Sequence, residues 1–179
     1  MAFHMAESNT ANVNIFRIVT SVFLAILVGV LLWFAAPTGD TAVSANNEGV
    51  VFNNNKQYEK AVEAFDRAIE MDPEFAMAYN NRGWSYIELG KFEQAITDCS
   101  RAIEFDPRLA LAYSNRGLAY VMVGNYEQAV ADCTKAIELD PGLALAYSNR
   151  GQAYINLGMF DEAITDLDKA VELDPSLQK

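Results

Sequence analysis

The chain has 179 residues, 51% of them hydrophobic, and its 13 basic and 24 acidic residues give a formal net charge of −11. An acidic surface repels the phosphates of nucleic acid, and no basic stripe offsets it here, so we expect no nucleic-acid partner. The one histidine, His4, lies in the first residues, and the two cysteines form no Cys-x-x-Cys motif. The sequence therefore predicts neither a metal site nor another cofactor.

The first predicted element is a membrane-spanning helix that follows a short N-terminal tail, residues 1–14. From Ile18 to Ala36 the chain runs for 19 residues without a charge. A helix of that length spans about 28 Å, close to the roughly 30 Å hydrocarbon core of a bilayer. Aromatic residues suited to the membrane interface stand near its ends, and a proline closes it: Phe16, Trp33, Phe34 and Pro37. We predict one transmembrane helix over residues 15–37 and a linker over residues 38–41.

A cleaved signal peptide is the alternative interpretation of this apolar run. Val43-Ser44-Ala45 offers small residues of the kind that signal peptidase accepts. The run is longer than the apolar region of about 7–15 residues that signal peptides usually carry, which favours the anchor.

Two features predict how the anchor sits in the membrane. Arg17 flanks its N-terminal end, and no other lysine or arginine occurs before Lys56. The positive-inside tendency then places the N-terminus in the cytoplasm and the rest of the chain on the extracytoplasmic (periplasmic or luminal) side. Small residues recur every four positions and would let another membrane helix approach closely: Ser21, Ala25 and Gly29.

From residue 42 onward the sequence repeats itself every 34 residues. The segment Ala-Tyr-Asn-Asn-Arg-Gly at 78–83 returns with one change at 112–117 and 146–151. Each period carries two apolar stripes at helical spacing, separated by a turn and closed by Asp-Pro, which stops a helix. A fixed period of this length indicates an array of small helical units, none of which can bury its own apolar face.

Small residues mark where the two helices of each period approach. The first helix carries Gly49, Gly83, Gly117 or Gly151, and the second carries alanine pairs at 61 and 68, 95 and 102, 129 and 136, and 163 and 170. This pattern resembles the tetratricopeptide repeat (TPR), a family of antiparallel helix pairs, in four units: 42–75, 76–109, 110–143 and 144–177. The resemblance implies an all-α fold, in which a right-handed superhelical TPR array over 42–179 follows the transmembrane helix. The first unit departs most, and its Asn-rich turn at 53–57 leads us to expect a short or frayed first helix.

The resemblance also implies where a partner binds, because the first helices of this family line a concave face. An asparagine amide there can grip the backbone of an extended peptide. The residues predicted to bind a partner are Asn47, Asn81, Trp84, Asn115, Leu118, Met122, Asn149 and Gln152. Further apolar residues predict a groove suited to a helix or a hydrophobic segment: Met77, Ile87, Leu111, Val121, Leu145 and Ile155. Family members that clamp a peptide carboxylate use lysines, which Asn46, Val50 and Leu111 replace here, so we do not expect binding of acidic C-terminal tails.

Other recurrent residues are assigned structural roles. We expect Arg82, Arg116 and Arg150 to pair with acidic neighbours, and Cys99 and Cys133 to fill buried space as small apolar residues. We also expect the second helix of the last unit to expose an apolar face, because no further helix follows it in the sequence: Ala163, Ile164, Leu167, Ala170 and Val171.

The predicted function is binding. No serine–histidine or cysteine–histidine pair and no Gly-rich phosphate loop is present, so we do not expect an enzyme. Two versions stay open. In the favoured one the chain is an accessory subunit of a larger membrane protein complex, and its array clamps an extramembrane subunit while its anchor packs among other transmembrane helices. In the other it is a tethered assembly factor or adaptor that holds client peptides or helical segments in the concave groove.

Overall fold

The computed structural model describes residues 41–178, which form eight α-helices and a short 3₁₀ turn. The helices are α1 (Ala42–Asn54), α2 (Tyr58–Met71), α3 (Ala76–Glu88), α4 (Phe92–Phe105), α5 (Ala110–Met122), α6 (Tyr126–Leu139), α7 (Ala144–Leu157) and α8 (Phe160–Leu173), followed by the turn Pro175–Leu177. Consecutive helices pair as α1–α2, α3–α4, α5–α6 and α7–α8. The predicted all-α array of four helix-turn-helix units is confirmed.

The predicted N-terminal elements lie outside the described residues. These are the tail, the transmembrane helix over 15–37 with Ser21, Ala25 and Gly29, and all but the last residue of the linker. Among the helices of residues 41–178, none combines the length and the apolar character that crossing a bilayer requires.

An Asp-Pro dipeptide ends each unit by a specific hydrogen bond. Asp72, Asp106, Asp140 and Asp174 are extended, with φ between −133° and −140°. Each carboxylate accepts a hydrogen bond from the backbone N–H two residues later, at 2.9–3.1 Å. An aspartate side chain that bonds its own backbone in this way builds a turn, and the proline prevents the helix from continuing. The chain therefore reverses at the same point in every unit.

The turn within each unit uses a left-handed residue. At the end of α3 the N–H of Lys91 donates to the Tyr86 carbonyl at 2.8 Å, across Gly90 at φ +71°. The first unit makes the same turn with Lys56, at φ +57°, and Gln57 donates to Phe52 at 2.9 Å. A hydrogen bond of this kind, from an N–H to the carbonyl five residues earlier, is the longer-range of the two bonds that define a Schellman helix end. The expectation of a short or frayed first helix was wrong, because α1 has 13 residues, as α3 and α5 do.

Each pair of helices touches at its glycine. A Cβ built on Gly117 would lie 2.5 Å from Cys133 Sγ and 3.3 Å from the Ala129 carbonyl oxygen. The equivalent contact is Cys99 Sγ for Gly83, the Leu167 side chain for Gly151 and the Phe65 ring for Gly49. Phe65, Cys99 and Cys133 are fully buried, and both cysteines are free thiols, which confirms their predicted role. Burial raises the pKa of the Cys133 thiol to about 12, so it stays protonated.

Neighbouring units join through their first helices. The second helix of a unit packs against the first helix of the next unit, and first helices of neighbouring units also contact one another. Second helices of neighbouring units make no such contact within residues 41–178. The first helices are therefore closer together than the second helices, so the array curves with the first helices on its inner side.

The glycine contact predicts the sign of a mutational effect. Replacing a glycine by alanine at a free helical position stabilises a helix by about 0.8–1.0 kcal/mol. We expect Gly117→Ala to destabilise the chain instead, by about 1–3 kcal/mol, because its methyl group overlaps Cys133 Sγ. Adding Gly117→Ala to a Cys133→Ala background should cost much less, since the overlapping atom is gone. Chemical denaturation measures all four chains, and a stabilising Gly117→Ala would contradict this packing.

Candidate functional site

One stripe of each first helix faces away from its paired second helix. Its members are spaced four, three and four residues apart, which places them on one side of a helix. In chain order they are Val43, Asn47, Val50 and Asn54 on α1, Met77, Asn81, Trp84 and Glu88 on α3, Leu111, Asn115, Leu118 and Met122 on α5, and Leu145, Asn149, Gln152 and Asn156 on α7. We call this surface the inner face. All eight predicted partner-binding residues belong to it.

Half of the inner-face residues are apolar, and the face is almost free of charge. Its only charged member is Glu88, and it holds no basic residue. Met77, Leu111 and Leu145 begin successive helices at one-unit intervals and are 36–41% exposed, while Met122 is 51% exposed near the end of α5. Trp84 and Leu118 are half-buried, because they also pack against the cluster around Ala95 and Ala119. An uncharged, partly apolar surface of this kind suits a helix or an apolar segment more than a charged peptide.

Two of the predicted groove residues belong to the core instead. Ile87 is 9% exposed and Val121 is 7% exposed, since the first helix of the following unit covers each of them. Placing them in the groove was wrong: both stand one residue before the end of the stripe and point toward the next unit. Ile155 holds the same position in the last unit and is 45% exposed.

The recurrent asparagines form a ladder across the units. Asn81 Nδ2 donates to Asn46 Oδ1 at 3.0 Å, and Asn115 Nδ2 donates to Asn80 Oδ1 at 2.9 Å. Asn149 Nδ2 donates to the backbone oxygen of Ser114 at 3.2 Å and to its hydroxyl oxygen at 3.3 Å. Each bond joins the first helices of neighbouring units. These amides therefore hold the array together at its inner side.

The ladder limits what the asparagines can offer a ligand. Asn115 and Asn149 are only 7% and 8% exposed, whereas Asn47 at the start of the array is exposed. Every buried side-chain nitrogen and oxygen within residues 41–178 has a hydrogen-bond partner. An amide that bonds its neighbour through one N–H keeps a second N–H. It also keeps its oxygen, except at Asn81, whose Oδ1 accepts a hydrogen bond from Asn80 Nδ2 at 3.3 Å. Partner binding by these asparagines stays a prediction. Among the polar residues predicted to bind a partner, Asn47 and Gln152 are the exposed ones.

The arginines serve the array itself, as expected. Arg116 donates through Nε and Nη2 to the two oxygens of Asp132, at 2.7 and 2.8 Å, and Arg82 and Arg150 bind Asp98 and Asp166 in the same way. Such two-point pairs are the strongest ion pairs between side chains. The hydrogen bonds that Arg116 donates to Asp132 raise the pKa of Arg116. Burial alone would lower the pKa of Arg82, but its bonds to two carboxylates outweigh that effect and raise it.

The remaining guanidinium nitrogen of each arginine crosses to the preceding unit. Nη1 of Arg82 binds Asp66, Nη1 of Arg116 donates to Ser100 Oγ at 3.0 Å, and Nη1 of Arg150 donates to Thr134 Oγ1 at 3.1 Å. These partners were missed at the sequence level. The signal that could have found them is the short polar residue near the middle of each second helix, which is Asp66, Ser100 or Thr134. The acceptors of the ladder asparagines had a similar signal, because each is the polar residue directly before a recurrent asparagine.

The positions of a carboxylate clamp carry no positive charge. Asn46 is buried and already accepts the Asn81 hydrogen bond, Val50 is half-buried, and Leu111 is 38% exposed. A peptide carboxylate placed there would meet amide and hydrocarbon groups only. Within residues 41–178, no group of three or more His, Cys, Asp or Glu side chains could hold a metal ion.

Comparisons with known proteins agree with this architecture. The family model described as tetratricopeptide repeat matches residues 42–75, 76–109, 110–143 and 144–177. The first TPR domain of Spaghetti (RPAP3), solved with the HSP90 peptide SRMEEVD, is 25% identical with a TM-score of 0.63, over 69% of this chain and 99% of that one. The Arabidopsis OM64 TPR domain is 30% identical with a TM-score of 0.62, over 64% and 95%. A thermophilic TPR protein of Thermus thermophilus, TTC0263, has a TM-score of 0.71 at 24% identity, over 76% and 77%, and shows the fold alone.

These matches indicate no catalytic family. A search of curated protein sequences finds no match.

The ladder predicts that replacing two equivalent asparagines by alanine lowers the free energy of unfolding by different amounts. Asn115→Ala should lower the free energy of unfolding by about 1–2 kcal/mol, because it leaves the buried Asn80 oxygen without its donor. Asn47→Ala removes the same side chain from the exposed start of the array and should change it by less than about 0.5 kcal/mol. Urea unfolding compares the two, and equal costs would contradict a structural ladder.

Proposed function

Because the chain belongs to the tetratricopeptide repeat family, we propose that it is a membrane-anchored protein-interaction scaffold without catalytic activity. In the version that we favour it is an accessory subunit of a larger membrane protein complex. Its inner face holds an extramembrane subunit, while residues 15–37 anchor it in the bilayer. Ser21, Ala25 and Gly29 then pack against another membrane helix.

The exposed apolar part of the inner face carries the proposal. Met77, Leu111 and Leu145 repeat at one-unit intervals along first helices that contact one another, so they form a row along the inner face. Hydrocarbon exposed in such a row is stabilised when a partner covers it, and the absence of basic residues along the inner face gives the row no preference for acidic peptides. A helix that lays its apolar side along the row fits these properties best.

Two arguments support the proposed membrane anchor. One is the uncharged run from Ile18 to Ala36, and the other is the poor fit of the alternative, a cleaved signal peptide. Signal cleavage after Val43-Ser44-Ala45 would cut within the first turn of α1, where Ala45 is 1% exposed and packs against Ala78. Retention of the run as an anchor leaves that packing intact. With Arg17 on the cytoplasmic side, the array lies on the extracytoplasmic, periplasmic or luminal, side. Protease digestion of sealed membrane vesicles of known orientation tests this side.

A tethered adaptor for client segments is the second candidate. It is supported by the peptide-bound state in which the RPAP3 domain was solved. This chain lacks basic residues at the clamp positions, so its clients would be apolar segments and not acidic tails.

Co-purification distinguishes these functions. The full-length chain, extracted from its native membrane in mild detergent, should carry a defined set of membrane proteins at constant ratio. Leu111→Asp, which places a charge in the apolar row, should reduce their recovery by about tenfold. Met71→Asp is the matched control, since Met71 is 45% exposed at the end of α2, outside the inner face, and it should behave as wild type.

The other outcomes are equally informative. A variable, substoichiometric set that still depends on Leu111 would support the adaptor. Full recovery with Leu111→Asp would contradict both candidates, because the partner would then not use the inner face.

A further inference from the structure

The outer surface of α8 is the one second-helix face in residues 41–178 that no following helix covers. In the second unit Ile87, Phe92 and Ile96 pack together with Ala119 of the next unit. Their counterparts in the last unit are Ile155, Phe160 and Ile164, which are 45%, 62% and 59% exposed. We call this surface, together with the cavity described next, the end face.

A cavity of about 380 Å³ opens on the end face beside this apolar patch. It is lined by three polar residues, Ser148, Asp168 and Gln178, and four apolar residues, Leu167, Ala170, Val171 and Leu177. Neither the Ser148 hydroxyl nor the Asp168 carboxylate is paired with another side chain of residues 41–178.

The three internal junctions between units show which side chains bind at the positions of Ser148 and Asp168. At each one the following first helix brings an asparagine to the residue equivalent to Ser148, which is Asn46, Asn80 or Ser114. The arginine beside that asparagine donates to the residue equivalent to Asp168, which is Asp66, Ser100 or Thr134. Ser148 and Asp168 therefore occupy the positions of the two acceptors at an internal junction. Asp168 offers a carboxylate there, as Asp66 does to Arg82.

We propose that the end face docks an amphipathic helix of a partner protein that carries an adjacent asparagine and arginine. The arginine binds Asp168, the asparagine binds Ser148, and a small residue three positions after the arginine lies over Ile155 and Ala163, as Ala153 lies over Val121 and Ala129. The site is separate from the inner face, so it goes beyond the proposed function and does not depend on it.

Charge argues against a second copy of this chain as the occupant. In a head-to-tail pair, α1 of one copy would approach α8 of the other. The residue of α1 that matches the arginine is Glu48, which would face Asp168, and at every internal junction the matching residue is an arginine. Glu48 is paired with Arg67 of its own unit, so it offers Asp168 no positive charge, and two carboxylates at that place repel each other.

A peptide with the sequence of residues 144–157 is the probe, because it carries the complete pattern of Asn149, Arg150 and Ala153. The peptide is acetylated, amidated and labelled, and it is titrated by fluorescence anisotropy against the full-length chain in mild detergent. We expect saturable binding at up to about millimolar peptide, since a helix of this length is mostly unfolded alone. Asp168→Lys should weaken it about tenfold, and Glu162→Lys, an exposed position on the same helix outside the cavity, should not.

A charge exchange makes the test specific. The peptide with Arg150→Glu should bind the wild-type chain weakly and recover its affinity for the Asp168→Lys chain. Absence of binding, or binding that ignores Asp168, would overturn the proposal. Head-to-tail self-association of the wild-type chain in sedimentation experiments, strengthened by Asp168→Lys, would also overturn it in favour of a second copy.

Discussion

The junction between consecutive units is the contact on which the rest of the structure depends. A unit buries the side that faces its successor only when the first helix of the following unit lies on it. Ile87 and Val121 are buried for this reason, and Ile155, in the same place without such a cover, is 45% exposed.

The junction also determines which polar groups remain for a partner. The ladder asparagines and the arginines are both recurrent, and both donate hydrogen bonds to the preceding unit. What stays accessible on the inner face is a set of apolar residues, such as Leu111 and Met122, and a set of polar ones, such as Asn47 and Gln152. Recognition through hydrocarbon contact follows from this distribution, with the asparagine amides adding hydrogen bonds at the edge of the array.

Much of the fold could be read from the sequence because the repeat displays each constraint several times. Gly117 and its equivalents identified the helix crossings, and the Asp-Pro dipeptides identified the ends of the units. The fraying expected of α1 failed because Lys56 adopts the left-handed conformation that glycine takes in the other units, at φ +57°. The asparagines around it suggested a weak helix end, yet the hydrogen bonds of the turn are the same.

The site was less predictable than the fold. A helical stripe identifies which side chains share a face, but it does not say whether the neighbouring unit already binds them. Asn115 and Val121 were both assigned to the groove, and both are buried by contacts between units. The shared place of Ser148 and Asp168 on the end face follows from the hydrogen bonds of the internal junctions, which one unit of sequence does not contain.

Amide hydrogen exchange along the array tests the importance of the junction most directly. The comparison is between central α8, residues 164–169, and the equivalent residues 96–101 of α4 and 130–135 of α6, which following helices cover. If the junction supplies the stability of each second helix, α8 exchanges clearly faster than α4 and α6 under native conditions. Equal protection of the three helices would contradict that claim, because each unit would then be stable without its successor.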